Sequence, residues 1–362
     1  MTKTPSASQQ ANLDKETIAG WARSLGFQAI GVTDLDLSEH EPAFREWLAE
    51  GFAGEMSYLH RNLDKRLQPQ LLEPYTCRII SARMNYLPAD TQPLEVLENS
   101  ELAYVSRYAL GRDYHKVLRR RLAQLAQRIN SLWPNHQYRA FTDSAPVLEK
   151  ALGLKAGLGW IGKNTLLIDP DDGSWFFLGE IYTNAPLPID QPLDQDHCGK
   201  CSACITVCPT DAIVAPGKLD ARKCISYLTI EHKDAIPEAL RAPIGNRVFG
   251  CDDCQLFCPW NREAPSTEET DFAPRHGLAN AQLVDLMAWT EVEFLKKTEG
   301  SAMRRVGYVQ WQRNLAVALG NGPATAASKQ ALSNQLGKTD AMVDEHIRWA
   351  LTQLALKEAD AS

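Results

Sequence analysis

The feature that most constrains this 362-residue chain is its set of nine cysteines, eight of which lie between positions 198 and 258. The first run reads Cys198-x2-Cys201-x2-Cys204-x3-Cys208-Pro209. This is the spacing of bacterial two-cluster ferredoxins, in which the fourth cysteine serves the other cluster. Short spacing lets one loop wrap a cubane corner by corner. Helical geometry beyond Cys204 then carries Cys208 away from that cubane. The second run, Cys251-x2-Cys254-x3-Cys258-Pro259, is one cysteine short, and Cys224 can supply the missing ligand. One cluster thus takes Cys198, Cys201, Cys204 and Cys258; the other takes Cys208, Cys224, Cys251 and Cys254. Zinc knuckles also use C-x2-C pairs, but zinc explains neither the x3-Cys-Pro endings nor the interlocking. Cys77 is left over and is expected to be a small buried apolar residue. Two clusters form an electron relay, and a relay needs a redox site at its end.

The rest of the chain is long enough to hold one. At 44% hydrophobic residues the sequence supports two or three packed domains. Residues 14–25, 44–49, 56–66, 114–132 and 146–157 read as helices. Residues 27–34, 78–87, 102–109, 138–142, 164–169 and 174–183 read as strands, with a turn at Pro170-Asp171-Asp172-Gly173. This alternation implies an α/β domain over residues 1–185. Residues 186–275 are rich in Cys, Pro and Asp and poor in periodicity, as expected where metal replaces a large core. Residues 276–362 read as all-helical. Trp311-Gln312-Arg313-Asn314-Leu315-Ala316 and His346-Ile347-Arg348-Trp349-Ala350-Leu351 resemble each other there, as in a short helical repeat. The fold class is therefore a multidomain mixture of α/β or α+β, a cluster domain and a helical domain.

Charge and signals narrow the setting. A net charge of −7 makes the chain no generic nucleic-acid binder, so such a partner would need a local basic patch. Met1 to Asn12 is polar and lacks a signal pattern, no twin-arginine lies near the start, and no apolar run approaches the roughly 20 residues of a membrane helix. The expectation is a cytoplasmic protein whose clustered thiols bind metal and not each other.

Gly157, Gly159 and Gly162 match G-x-G-x-x-G, and Gly157 to Lys163 matches G-x4-G-K. Neither is a nucleotide fingerprint here. A dinucleotide loop follows a strand and opens a helix, whereas this one follows a helix and opens a strand. A phosphate loop needs Ser or Thr after the lysine, and Asn164 stands there. Two readings stay open: close approach of backbone to a large flat ligand, or a tight helix-to-strand connection.

Several stretches together resemble the epoxyqueuosine reductase family. They are Arg107-Tyr108-Ala109-Leu110-Gly111-Arg112-Asp113-Tyr114-His115, Phe141-Thr142-Asp143-Ser144-Ala145-Pro146, Gly157 to Thr165, the split cysteine set, and Arg313 to Asn321. The similarity runs from about Thr17 to the end. The resemblance implies reduction of the epoxide of epoxyqueuosine to the alkene of queuosine at the tRNA wobble position, the last step in making that base. It implies cobalamin and two 4Fe–4S clusters, a nitroreductase-like cobalamin domain, a ferredoxin-like domain and a HEAT-like helical domain. No D-x-H-x-x-G sequence is present, so no protein lower axial ligand for cobalt is expected. Cluster potentials reach well below roughly −400 mV, low enough to feed Co(I).

By the same resemblance Asp143 is the acid that protonates the opening epoxide, provided burial raises its pKa. Read from sequence alone, Asp143 also fits an N-cap for a helix starting at Pro146, and the two roles need not exclude each other. Cobalamin is expected to be lined by Arg61, Arg107, Asp143, Ser144, Ala145, Lys163, Asn164 and Thr165, with Ser226 and Tyr227 bringing the second cluster close. Lys296, Lys297, Arg304, Arg305 and Arg313 are expected to meet tRNA phosphates, aided by Arg112, Lys116 and Arg119 to Arg121. Tyr308 and Trp311 could stack bases or pack a helix core. The remaining partners expected are a low-potential electron donor and no membrane, with the chain a monomer. Two alternatives share the clusters: a cobalamin-dependent reductive dehalogenase, and a non-catalytic electron-transfer protein.

Overall fold

A four-stranded sheet organises the first half of the chain. The computed structural model describes residues 7–89, 91–193 and 197–361. Of the polar stretch Met1 to Asn12, residues 1–6 lie outside the described residues. The strands run in the order Ala29–Thr33, Arg78–Asn85, Phe176–Thr183, Tyr138–Phe141. Every neighbouring pair is antiparallel. The sheet is thus α+β in character, one of the two classes left open by the alternation of strands and helices. Element order along a chain does not fix strand direction, and here long connections return each strand against its neighbour.

Side chains alternate across the sheet. Ile80, Ala82, Met84, Phe177 and Ile181 pack against the helices Ala7–Ser24 and Tyr114–Ile129, where Ile18, Ala22, Leu118, Leu122 and Leu125 complete the core. Ile79 and Tyr182 point the other way and meet Ala151 and Leu152 of the helix Glu149–Lys155. Alternation puts Ser81 and Glu180 on that second face, and both are fully buried. A wholly buried carboxyl on a central strand is costly unless protonated or paired.

The expected strand at 102–109 is mostly absent. Tyr104–Val105 pairs in parallel with Arg247–Phe249, and a 3-10 turn, Arg107–Ala109, follows at once. The buried carboxylate of Asp252 causes the bend. It accepts the Tyr104 hydroxyl at 2.8 Å, the Arg107 backbone N–H at 2.8 Å and the Ser106 hydroxyl. Ala103, Val105, Ala109 and Leu110 pack into one core with the C-terminal helices. The turn after Ile168 forms as expected: Asp169 and Gly173 exchange backbone hydrogen bonds, and Arg83 ties the turn to the sheet through Asp169 and Asp172.

The C-terminal helices are Tyr308–Asn321, Ala326–Gln335 and Ala341–Ala361. The two similar stretches lie on the first and third of these, which pack along each other. Trp311 is fully buried, so it serves the core and is not available to stack a base. Among the described residues no helix is long and apolar enough to cross a membrane.

The glycine-rich stretch resolves to the second of its two readings. A Cβ on Gly159 (φ +152°) would lie 2.2 Å from the Ile168 carbonyl oxygen, and one on Gly157 (φ +73°) 2.6 Å from that of Gln191. Trp160–Ile161 and Leu167–Ile168 form a small hairpin there. These glycines let backbone approach backbone, not ligand. Gly159→Ala is expected to lower the stability of the protein by about 1–3 kcal/mol, the usual cost of overpacking, measured by denaturant unfolding of the cluster-free protein.

Candidate active site

The 143–151 segment, Tyr114 and His115 at the start of the helix Tyr114–Ile129, the 217–231 part of the cysteine segment and the 40–66 segment line a cavity of about 1260 Å³. Ligand pockets are commonly ~300–1,000 Å³, so this one has room for a large cofactor and part of a second ligand. One wall is apolar and aromatic, from Phe44, Trp47, Met56 and Leu59. The opposite wall is the 224–231 segment, including Cys224, Ser226, Tyr227 and Glu231. Tyr227 accepts the Glu55 backbone N–H at 2.8 Å, and Gly54 (φ +56°) lies against its ring, where a Cβ would come within 2.5 Å of the hydroxyl. That contact joins the two walls.

Asp143 stands between them. The helix after it begins only at Glu149, with Leu148 at the cap position, so Asp143 is not an N-cap and its carboxylate is free for other partners. Its Oδ1 meets His115 Nε2, and its Oδ2 accepts the Tyr114 hydroxyl. The far nitrogen of His115, Nδ1, lies 2.7 Å from Asp113 Oδ1. Asp113 caps the helix Tyr114–Ile129 by accepting the His115 backbone N–H. The Tyr114 ring stacks on His115 at 4.1 Å and on Phe177 at 4.1 Å. Asp143 is not buried as expected, its side chain being 39% exposed. The charge is set instead by His115: burial alone would lower its pKa, but hydrogen bonds to Asp113 and Asp143 raise it to about 9.

Below Asp143 lies a second acidic pair. Burial pushes the Glu180 carboxyl up to about 8 and the Glu149 carboxyl well above its ordinary range, and the charge of Glu180 raises Glu149 further. Ser81 donates to Glu180 at 3.2 Å. Lys150, exposed at the cavity, donates to the Thr165 carbonyl at 2.8 Å. Arg66 reaches the Val147 carbonyl from the same wall. None of Tyr114, His115, Glu149, Lys150, Arg66 and Glu180 was assigned a role from sequence. The one usable signal was Asp113-Tyr114-His115, where a cap residue two positions before a histidine places a carboxylate beside its ring.

Of the expected cofactor residues, Arg61, Asp143, Ser144, Ala145, Thr165, Ser226 and Tyr227 line the cavity. Arg107, Lys163 and Asn164 do not. Arg107 is 1% exposed, donates to the Val105 carbonyl and lies over the Tyr104 ring near Asp252. Lys163 reaches the Gly199 and Cys201 carbonyls at 2.6 and 2.8 Å. Asn164 is buried and donates to the Cys254 carbonyl at 3.1 Å. Lys163 and Asn164 thus brace the cysteine loops.

The basic set also divides. Lys296, Arg304 and Arg305 are exposed and Lys297 is half-buried over the Trp289 ring. Arg305 lies at the cavity and pairs with Glu231 at 2.5 Å. Arg313 is fully buried and cannot meet a phosphate. It donates to the carbonyls of Leu228, His232 and Asp234 and to the Asn314 side chain, fastening the cavity wall to the C-terminal helices. Arg112, Arg120 and Arg121 are occupied by Asp271 and Glu269.

The cysteines gather in two neighbouring groups. Cys258 packs with Cys198 beside Trp160, Ile168 and Trp260. Cys224 and Cys251 pack around Ile225 and Leu228. Burial raises the Cys204 thiol, and so do its neighbours Cys258, Cys198 and Cys201. Burial likewise raises Cys254, which has Cys224, Cys204 and Cys208 as neighbours. Cys77 is half-buried, not buried.

Comparison with known proteins agrees with this arrangement. Residues 197–261 match the 4Fe-4S double cluster binding domain, and residues 66–144 match epoxyqueuosine reductase QueG, DUF1730. The chain is 56% identical over 336 residues to the epoxyqueuosine reductase of Pseudomonas aeruginosa, covering 93% of each chain. It resembles a crystal structure of epoxyqueuosine reductase with an epoxyqueuosine-modified tRNA-Tyr stem loop, at a TM-score of 0.87 and 28% identity, over 95% of this chain and 91% of that one. It also resembles the Bacillus subtilis epoxyqueuosine reductase with its catalytic aspartate loop swung out of the active site. That match has a TM-score of 0.86 at 28% identity, with 95% and 91% of the two chains covered.

The Glu149–Glu180 pair has a consequence for stability. A carboxyl whose pKa rises from 4.5 to about 8 on folding holds a proton that the unfolded chain has released. Stability therefore falls as pH rises across that window. Glu180→Gln, which imitates the protonated form, is expected to raise the melting temperature of the cluster-free protein at pH 8.5 and to change it little at pH 5. Parallel thermal melts at the two pH values check this.

Proposed function

The chain belongs to the epoxyqueuosine reductase family, and we propose that it reduces epoxyqueuosine to queuosine at the wobble position of tRNA. The observation that carries the reading is one cavity with Asp143 on one side and Cys224 on the other. A proton donor and a cluster ligand thus face a space large enough for a cofactor and a flipped-out base.

The residues present suit a corrin. The ring is large and flat and fringed with amides, which both donate and accept hydrogen bonds. Among the described residues Arg66 Nε and Glu149 Oε1 are buried without hydrogen-bond partners, a donor and an acceptor on the wall of this cavity. Arg61, Ser144, Ala145, Thr165, Ser226 and Tyr227 would complete the cradle. Bound there, cobalamin would supply a two-electron nucleophile for epoxide opening, with 4Fe–4S clusters held by the eight cysteines and an external low-potential donor as its source of electrons.

The chain's own residues do the rest. Asp143 passes a proton to the epoxide oxygen as the carbon–oxygen bond breaks. Tyr114 fixes the orientation of that carboxyl, and its stack on Phe177 fixes Tyr114. The aromatic wall of Phe44 and Trp47 excludes water from the reacting face. Cys224 brings one cluster to the cavity, while the exposed Cys201 marks the other as the point of electron entry. Lys296, Lys297, Arg304 and Arg305 would hold the tRNA backbone, with Arg305 nearest the cavity mouth.

The architecture follows the same reading: residues 1–185 a nitroreductase-like cobalamin domain, 186–275 a ferredoxin-like domain and 276–362 a HEAT-like domain, in a protein that works as a monomer in the cytoplasm. Asp143→Asn keeps the shape of the side chain and loses the proton. It is expected to lower turnover of an epoxyqueuosine stem loop by roughly 10²–10⁴-fold, with iron content, cobalamin uptake and RNA binding unchanged. Wild-type turnover in this variant would overturn the assignment.

A further inference from the structure

Epoxide removal needs two protons at one oxygen. Both carbon–oxygen bonds break, two electrons enter to leave the carbon–carbon double bond, and the oxygen departs as water. The electron pair comes through the clusters. Asp143 holds one proton at a time, so a second must reach it during the reaction. We propose that His115 is the group that reloads Asp143 between the two protonations. This rests on the reading of the substrate as an epoxide.

The geometry is that of a proton-supplying pair. His115 Nε2 meets Asp143 Oδ1, and Nδ1 meets Asp113 Oδ1 at 2.7 Å. An imidazole between two carboxylates donates at both nitrogens and is therefore held as the imidazolium. Asp113 cannot swing away, because the same oxygen caps the helix by accepting the His115 backbone N–H at 3.1 Å, and the Asp113 backbone N–H donates to the Gly300 carbonyl at 2.7 Å. The ring is also clamped by its stack on Tyr114. The His115 side chain is 16% exposed, so solvent can restore the proton after each transfer.

The surrounding charges agree. The first turn of a helix disfavours a cation, by about 0.3–1 kcal/mol, and Lys116 on the same helix lies near Asp113. Against these stand the two carboxylates in direct contact. Tyr58, Tyr108, Arg305, Glu149 and Glu180 are the other charged or titratable groups that act on Asp143 or are acted on by it. Among the described residues, the imidazole ring hydrogen-bonds to Asp113 and Asp143.

The proton count then closes. His115 passes its Nε2 proton through Asp143 Oδ1 to the oxygen as the first carbon–oxygen bond opens, and becomes neutral with its Nδ1 proton still donated to Asp113. A proton from solvent restores the imidazolium, which reloads Asp143, and Asp143 gives this second proton as the oxygen leaves. A second proton from solvent returns His115 to its starting state.

The test reads His115 directly. Imidazole signals of the cofactor-free protein are titrated by NMR in the wild type and in Asp113→Asn, which retains a good cap. The pH dependence of epoxide reduction is measured on the reconstituted proteins. The wild-type midpoint is expected at about 9, and D113N is expected to lower it by roughly one to three units. Activity needs the protonated ring, so it is present below the midpoint and lost above it, and this alkaline limb should move down with the titration in D113N. His115→Gln, which keeps a donor to Asp143, should lose roughly 10²-fold in turnover and the limb with it. A wild-type midpoint near 6.5, an unmoved limb in D113N, or wild-type turnover in H115Q would each overturn the proposal. If the wild type reduced no epoxide, the substrate reading would fall and this proposal with it; the NMR midpoint, which needs no substrate, separates that failure from a failure at His115.

Discussion

Cys224 belongs to two structures at once, the second set of cysteines and the wall of the large cavity. Much of the fold serves that double membership. The 224–231 segment must stand still, and it is fixed from behind by Arg313 and from in front by Tyr227 against the Gly54 turn. Among the described residues Arg313 has no hydrogen-bonded carboxylate partner and is satisfied by three backbone carbonyls and the Asn314 side chain. Burial lowers its pKa to about 10, still far above neutrality, so it stays charged. Removing it would leave those carbonyls unpaired inside the protein, at about 1–3 kcal/mol each.

The same device recurs beside the second CxxC loop. Cys251 and Cys254 flank two acidic residues, Asp252 and Asp253. Asp252 gathers Tyr104, Ser106 and the Arg107 backbone, while Asp253 takes Arg247 in a two-pronged pair. These bonds set the position of the loop before any metal binds. They also explain why Arg107 lies away from the cavity: its place is beneath this loop.

The double-cluster domain at 197–261 was legible in the sequence because ligand spacing is a local, rigid constraint. So was the helix at 114–132, whose apolar stripe of Val117, Leu118, Leu122, Leu125, Ala126 and Ile129 is buried as expected. What the sequence hid was non-local. Strand direction in the sheet depends on long connections that carry no periodic signal. Arg313 looked like one more basic residue in a charged stretch, and only the carbonyls of a segment some 80 residues away reveal that it is buried. Asp143 was found by resemblance, but its partners were not: a histidine at a helix start reads as ordinary surface until the chain folds it against a loop. The glycines of 157–162 misled toward a ligand because close backbone approach looks the same in sequence whether the neighbour is a cofactor or a carbonyl.

The central claim is that one cavity joins a cluster-fed cofactor to an acid at Asp143. The most direct measurement is nucleoside analysis of an anticodon stem loop carrying epoxyqueuosine, after incubation with protein reconstituted with iron, sulfide and cobalamin under a low-potential reductant. Loss of the epoxide oxygen only when cobalamin and both clusters are present is the result expected. Conversion at the same rate without cobalamin, or none under any of these conditions, would contradict it.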